Sequence, residues 1–388
     1  MCEQAATQVE VCLGVVPESP HTSCDPAAQA NAEQMLDELA VAGCGGPPAG
    51  KADSAFCKFM KWDPLGWCES PAEVLGPEPE GSPTQYPIIL AHGFNTSTTN
   101  FWRFNDVDLA LAADGHGAQG PSTLGNVILG SVPPFDTPEV RAGFLEKQMD
   151  ELLAQTGASK VNLICFSAGG PDCRYLASPG GLNRGDQIAS ITTISSPHRG
   201  SYVADVASKA LPGSDKSKAV DFLATLYGKT FSEVADDSHI VAAFEAMSEK
   251  NSATFNQTIT DHPSVQYASW AGVSFVGGLP HPKPSKVTDA CRNEAGEVKT
   301  LWHEERRDRM DPLLVGGAVF VAHGTELRPN DGVSTVESAK WGDFRGCIPA
   351  DHLDQVGQIN DERPNKHTGF DYIRFYRNLA FDLAARGL

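Results

Sequence analysis

Short, almost wholly apolar runs alternate along this chain with longer stretches in which apolar residues recur every three or four positions. Runs of the first kind lie at 86–90 (YPIIL), 126–130 (NVILG), 161–164 (VNLI), 187–194 (QIASITTI) and 265–274 (VQYASWAGVS). About four to eight β-branched or bulky residues between turn formers are the pattern of a strand buried on both faces. Between the second and third runs, Thr137-Pro138-Glu139 marks a helix start. It offers a capping hydroxyl, a proline that fits the first turn, and an acid near the positive end of the helix dipole. Val140, Phe144, Met149 and Leu152, with Gln148, then recur on one predicted inner face, and Gly157 ends the helix. Strand, helix, strand in that order predicts a right-handed crossover and a parallel sheet. An amphipathic helix over 370–386 closes the chain, with Ile373, Tyr376, Leu379, Ala380 and Leu383 inward.

Other stretches lack the strand pattern. Within 202–259, stripes such as Phe222, Leu223, Leu226 and Ile240, Ala243, Phe244, Met247 predict amphipathic helices. They read equally as a lid over a site or as a helical layer of the domain body. Residues 278–300 read as loop, and 311–322 is ambiguous between helix and strand.

Composition narrows the picture. A chain of 388 residues predicts one sizeable domain plus an appendage. The formal charge of −19 argues against nucleic acid or an anionic membrane surface as partner. No run is long enough to span a bilayer, and no cationic-then-apolar leader opens the chain. Six of the ten cysteines (Cys2, Cys12, Cys24, Cys44, Cys57 and Cys68) fall in the first 70 residues, with no C-x-x-C pair. That density predicts a disulfide framework in an oxidising compartment rather than a zinc site. A helix over 27–41 and a proline- and glutamate-rich linker over 71–83 complete this region. The expected division is therefore 1–83 as a Cys- and Pro-rich extension with linker, and 84–388 as the main domain. Cys2 reads either as a disulfide partner or as the lipid-bearing first residue of a surface lipoprotein. Cys291 and Cys347 read as one further bridge, and Cys165 and Cys173 as buried free thiols.

Candidate chemistry concentrates at 160–176, KVNLICFSAGGPDCRYL. A strand runs straight into Cys165-Phe166-Ser167-Ala168-Gly169 and then a helix, the setting of a nucleophile elbow, usually G-x-S-x-G. The tight turn pushes the serine hydroxyl outward and sets the next N–H groups at a helix start, where negative charge is favoured. Cys165 stands where the first glycine belongs and is small enough for that crowded position. A serine in an ordinary strand–helix loop is the bland alternative. The strand at 86–90 runs into His92-Gly93-Phe94, and the N–H after that glycine can face a developing oxyanion. Downstream come Asp331 in a Pro-Asn-Asp-Gly turn and His352 in the loop 350–354, giving the order Ser, Asp, His. In such a set His352 takes the Ser167 proton and Asp331 fixes the imidazole. The N–H groups of Phe94 and Ala168 hold the oxyanion. His92 and His198 are competing histidines, each also readable as structural.

From Tyr86 to the C-terminus the chain resembles the secreted bacterial true lipases, the Pseudomonas and Burkholderia type of α/β hydrolase. YPIILAHG, KVNLICFSAGGPDCRYL, SSPHRGSYVAD, AFEAMSEKNSATFN, NDG and HLDQVGQ stand in that family's order. The resemblance implies an α/β-hydrolase fold, a mostly parallel central sheet flanked by helices, with 202–259 as a helical lid or cap. It implies a secreted serine carboxylic ester hydrolase working through an acyl-enzyme on Ser167, Asp331 and His352. Lipid acyl esters, met at a lipid–water interface, are the implied substrates. A structural Ca²⁺ on Asp311, Asp354 and the carbonyl of Gln358 is implied as well. A folding chaperone, common in the family, is carried among the partners, and the chain is expected to be a monomer. Two departures stand out. Cys165 and Phe166 replace the Gly-His of the family's elbow, which bears on substrate preference, and the family has no segment like 1–85. A hydrolase of polyesters or other bulky esters, and a non-catalytic binding protein on the same scaffold, stay open as alternatives.

Overall fold

The structure is a computed structural model that describes Leu36 and residues 75–94, 104, 106–116, 127–210, 239–302, 306–358 and 363–388, with backbone alone for 207–210. The six N-terminal cysteines and, apart from the helical Leu36, the helix expected over 27–41 lie outside the described residues.

Six strands form one sheet: β1 Ile88–Ala91, β2 Val127–Gly130, β3 Val161–Phe166, β4 Ile188–Ile194, β5 Gln266–Gly272 and, after two shorter strands, β8 Asp343–Ile348. Their order is β2-β1-β3-β4-β5-β8, with every neighbouring pair parallel. The short strands β6 Phe275–Val276 and β7 Arg309–Met310 pair separately. Among the described residues the α-helices are α1 Val107–Ala113, α2 Pro138–Thr156, α3 Gly169–Ala177, α4 Tyr202–Ala210, α5 Ile240–Ala246, α6 Glu249–Thr258, α7 Pro284–Ala290, α8 Pro312–Val321 and α9 Tyr372–Ala385, with a single helical turn at Val336–Ala339 between the last two. This is the expected α/β-hydrolase architecture.

The central strands β1, β3 and β4 are buried at every position because both faces of the sheet are covered. Side chains alternate across a strand, so Ile88, Leu90, Ile164 and Phe166 pack with α1, α5, α8 and α9. Ile89, Ala91, Leu163 and Cys165 pack with α2 and α3 on the other face. Each Ile, Leu or Phe side chain among them, fully buried, is worth about 1.5–3 kcal/mol.

Two local expectations are corrected, and one strand lies where no element was expected. The buried face of α2 is Arg141, Ala142, Leu145, Met149, Leu152 and Thr156, while Val140 and Phe144 are exposed at 42% and 43%. A charged residue occupies the inner stripe, which apolar spacing alone misplaces. Residues 284–290, within the predicted loop, form α7, which has proline in its first turn and buries Val287 and Ala290. Strand β8, Asp-Phe-Arg-Gly-Cys-Ile, carries alternating polar residues and no apolar run, as befits a sheet edge. The ambiguous 311–322 stretch is the helix α8, N-capped by Asp311, whose carboxylate accepts from Leu313 N.

The described parts of 202–259 are helical, as α4, α5 and α6. Cys291 and Cys347 form the expected disulfide. Cys165 and Cys173 are also disulfide-bonded, not free. Cys165 faces the α3 side of the sheet, and Cys173 sits one helical turn into α3, so the two thiols meet across the strand–helix turn.

Candidate active site

Parallel registry sets the site. Ala91 of β1 pairs with Cys165 of β3, so the two chains leave the sheet side by side at their carboxyl ends. In open α/β sheets this rim is where ligands bind, at the point where strand order reverses. Here the reversal falls between β1 and β3. His92, Gly93 and Phe94 follow β1, and Ser167 follows β3.

Ser167 has φ 54°, the left-handed conformation that costs a non-glycine residue about 1–3 kcal/mol. Its N–H donates to Ile194 O at 2.9 Å, extending the β3–β4 ladder past the strand end. Ala168, buried beside it, is the N-cap of α3. Gly93 is required here: a Cβ on it would lie 2.5 Å from Ser167 Cβ and 2.9 Å from Oγ. The Phe94 ring lies 5.5 Å from that of Phe135, which in turn lies 6.4 Å from Phe244 on α5. An aromatic series thus links the loop after β1 to α5.

Asp331 and His352 come together from separate loops. His352 Nδ1 lies 2.6 Å from Asp331 Oδ2, and both side chains are fully buried. Asp331 Oδ1 accepts from Val333 N and Ser334 N at 3.0 and 2.8 Å. Burial alone would raise this carboxyl; the His352 imidazole and those two N–H donors outweigh it and hold the group below its usual range. The His352 ring rests on Phe166, centroids 4.6 Å apart, one residue before Ser167.

His92 and His198 are engaged elsewhere. His92 Nδ1 lies 2.8 Å from Gly93 O, and its Nε2 accepts from Val132 N. Burial and Arg141 push it down to about 3, so it is neutral. His198 Nε2 bonds Thr193 Oγ1 at 3.0 Å.

Sequence reading missed several residues. Gln355 donates from Nε2 to Asp331 Oδ2 at 3.0 Å. Arg141 and Asp172 form a fully buried ion pair beside the loop after β1, Nε to Oδ2 at 2.7 Å. The signal for both was weak: a Gln in a short loop and a lone charged residue on a helix carry no pattern of their own.

The acidic residues also regroup. Asp308, Asp351 and Asp354 each bring one carboxylate oxygen within 4.8 Å of the others. Asp354 belongs to the set the resemblance implied; Asp311, also of that set, caps α8, and its N–H donates to Asp351 Oδ2. Gln358 follows in the same loop, its N–H donating to Leu353 O. Burial, then like charge, pushes Asp308 and Asp354 well above the usual carboxylate range, and burial pushes Asp351 up to about 6. Two buried carboxylates and a half-buried third, mutually repelling hard-oxygen donors, are the chemistry a divalent cation such as Ca²⁺ satisfies. Asp351 directly precedes His352, so an ion held here would tie that loop to the β7 segment.

No family model matches the chain. It is 32% identical over 309 residues to a triacylglycerol lipase of Pseudarthrobacter phenanthrenivorans, covering 71% of this chain and 90% of that protein. It is 32% identical over 309 residues to a triacylglycerol lipase of Burkholderia plantarii, covering 71% and 80%. Triacylglycerol lipase 2 of Saccharomyces cerevisiae is 29% identical over 275 residues, covering 67% and 69%. Among solved structures, a metagenomic carboxyl esterase superposes with a TM-score of 0.54 over 94% of this chain and 96% of its own, at 14% identity, a likeness of fold.

Proposed function

Because the chain belongs to the bacterial triacylglycerol lipase family and is a carboxylic ester hydrolase, we propose that it cleaves lipid acyl esters through an acyl-enzyme on Ser167. One observation carries this reading. A buried His352–Asp331 pair, 2.6 Å apart, packs its imidazole on the residue next to a serine held at positive φ.

Asp331 holds the proton of His352 on Nδ1, leaving Nε2 as the base. Ser167 Oγ attacks the ester carbonyl as its proton passes to Nε2. The oxyanion is received by the N–H groups of Phe94 and Ala168; losing one such donor typically costs about 3–4 kcal/mol of barrier. Collapse breaks the bond to the alcohol, which leaves with the proton from His352. Water then repeats the sequence on the acyl-enzyme and restores Ser167.

Helix α5 forms part of a wall of the acyl site in this reading, supported by the Phe94–Phe135–Phe244 series. Asp308, Asp351 and Asp354 would hold Ca²⁺, which supplies structural cross-linking of the loop that ends in His352. The two disulfides of the main domain support residence in an oxidising, extracytoplasmic compartment. Among the described residues no helix is long and apolar enough to cross a membrane.

The test is the rate on triacylglycerols of increasing chain length, measured below and above the solubility limit. A rate that climbs once an emulsion forms, and persists with long acyl chains, is expected. A flat short-chain preference without interfacial gain would count against the lipase reading and favour a simple esterase.

A further inference from the structure

One buried cation ties together the two loops assigned to the oxyanion. Arg141, on α2, has no exposed surface. Its Nη2 donates to His92 O at 2.8 Å and to Gly93 O at 3.1 Å, and Nη1 donates to Pro133 O. The guanidinium also lies 5.3 Å from the Phe94 ring centroid. Its Nε donates to Asp172 Oδ2 at 2.7 Å, and Asp172, likewise fully buried, is in the first turn of α3. That helix begins at Ala168, directly after Ser167.

The peptide plane makes this contact consequential. The carbonyl of Gly93 and the N–H of Phe94 belong to one rigid unit and point in opposite directions. Anchoring Gly93 O therefore aims the Phe94 N–H. The anchor is doubled, because His92 Nδ1 lies 2.8 Å from the same oxygen. The second proposed donor, Ala168 N–H, starts the helix that carries Asp172. The ion pair thus fixes one donor with respect to the other.

We infer that Asp172 is a positioning residue for ester hydrolysis: through Arg141 it holds the Gly93–Phe94 peptide in register with the start of α3. It touches no substrate. A guanidinium among carbonyls needs a counter-charge in a dry interior, and Asp172 is the carboxylate bonded to it. Without that charge the fork has no fixed orientation, and the Gly93 carbonyl loses an anchor. Displacements of about 1 Å at such a site cost on the order of 100-fold in rate.

The inference rests on the acyl-enzyme reading, and its test separates the two. Asp172→Ala, Asp172→Asn and Arg141→Lys are assayed as full chains at pH 8 on p-nitrophenyl butyrate. Burial raises the Asp172 carboxyl to about 7 against the pull of Arg141, so at pH 8 the carboxyl is mostly ionised. Melting temperature and the rate of Ser167 phosphonylation by a fluorophosphonate are followed in parallel. Asp172→Ala should lower kcat by about 10- to 100-fold, with KM within about threefold. Phosphonylation should slow by a similar factor, since the P=O occupies the same hole. Asp172→Asn, which keeps shape and an acceptor, should recover part of the loss. Arg141→Lys, which lacks the planar fork, should not. If Asp172→Ala fails to fold, the other two variants decide. Folded variants that keep kcat and phosphonylation within twofold of the parent, or that change only KM, overturn the inference. A parent protein that hydrolyses esters yet is not phosphonylated on Ser167 would instead overturn the acyl-enzyme reading.

Discussion

His352 Nδ1 and Asp331 Oδ2 lie 2.6 Å apart with neither side chain exposed. The carboxylate accepts from three further donors, Val333 N, Ser334 N and Gln355 Nε2, so it is fixed as an anion and as an acceptor. Asp331→Asn presents an amide that can donate to Nδ1, favouring the tautomer with its proton on Nε2. Such a change typically lowers kcat by about 10⁴-fold with the fold intact. Steady-state kinetics and circular dichroism of this variant should give that loss with native spectra. A loss below tenfold would remove Asp331 from the proposed role.

The Cys165–Cys173 disulfide brackets Ser167 across eight positions. Closing so short a loop restricts the unfolded chain by about 2.5 kcal/mol, against about 4 kcal/mol for the 56-residue span of Cys291–Cys347. Urea unfolding of Cys165→Ala/Cys173→Ala and Cys291→Ala/Cys347→Ala double variants should reproduce that order. The reverse order would mean that native-state packing, not loop closure, dominates.

Asp308 and Asp351 are buried with the half-buried Asp354 beside them, and like charge within the group raises the cost of ionising Asp308 and Asp354. A cation that binds the folded chain alone stabilises it by about 2.7 kcal/mol at a hundred times its Kd. Chelation should therefore lower the melting temperature, and Ca²⁺ should restore it. Asp351→Asn should abolish the response. A melting temperature indifferent to chelator and Ca²⁺ would exclude the site.

His198 is buried between Thr193 and Trp341. Burial, then Arg174 and Arg199, hold it well below its ordinary value of 6.5. In the unfolded chain it takes a proton below 6.5 that the folded chain refuses. Its share of stability is therefore complete above pH 6.5 and lost as pH falls from there, by up to about 1.4 kcal/mol per pH unit. His198→Gln should lack this loss. The stability difference between parent and variant, taken from melting curves, should shift toward the variant between pH 6.5 and 4.5. A constant difference would contradict the assignment.

Legibility in the sequence followed the range of the interaction. The strands before Gly93 and Ser167 were readable because burial on both faces demands continuous apolar runs, and chain order alone suggested Asp331 and His352. What escaped depends on contacts between distant segments. Arg141 breaks the apolar stripe of α2 because its partner, Asp172, lies on another helix. Cys165 and Cys173 read as thiols until the turn at Ser167 brought them together. Asp351, beside His352, looked like a loop acid, and only the approach of Asp308 gives it company. Strand β8 has Arg345 and Asp343 on an edge that needs no apolar run.

The central claim is that Ser167 is the nucleophile, and turnover of a p-nitrophenyl ester by Ser167→Ala tests it most directly. With an unchanged melting temperature, kcat/KM should fall by on the order of a million-fold, as expected when the three side chains act as a unit. A folded Ser167→Ala protein that retains activity within tenfold of the parent would contradict the account.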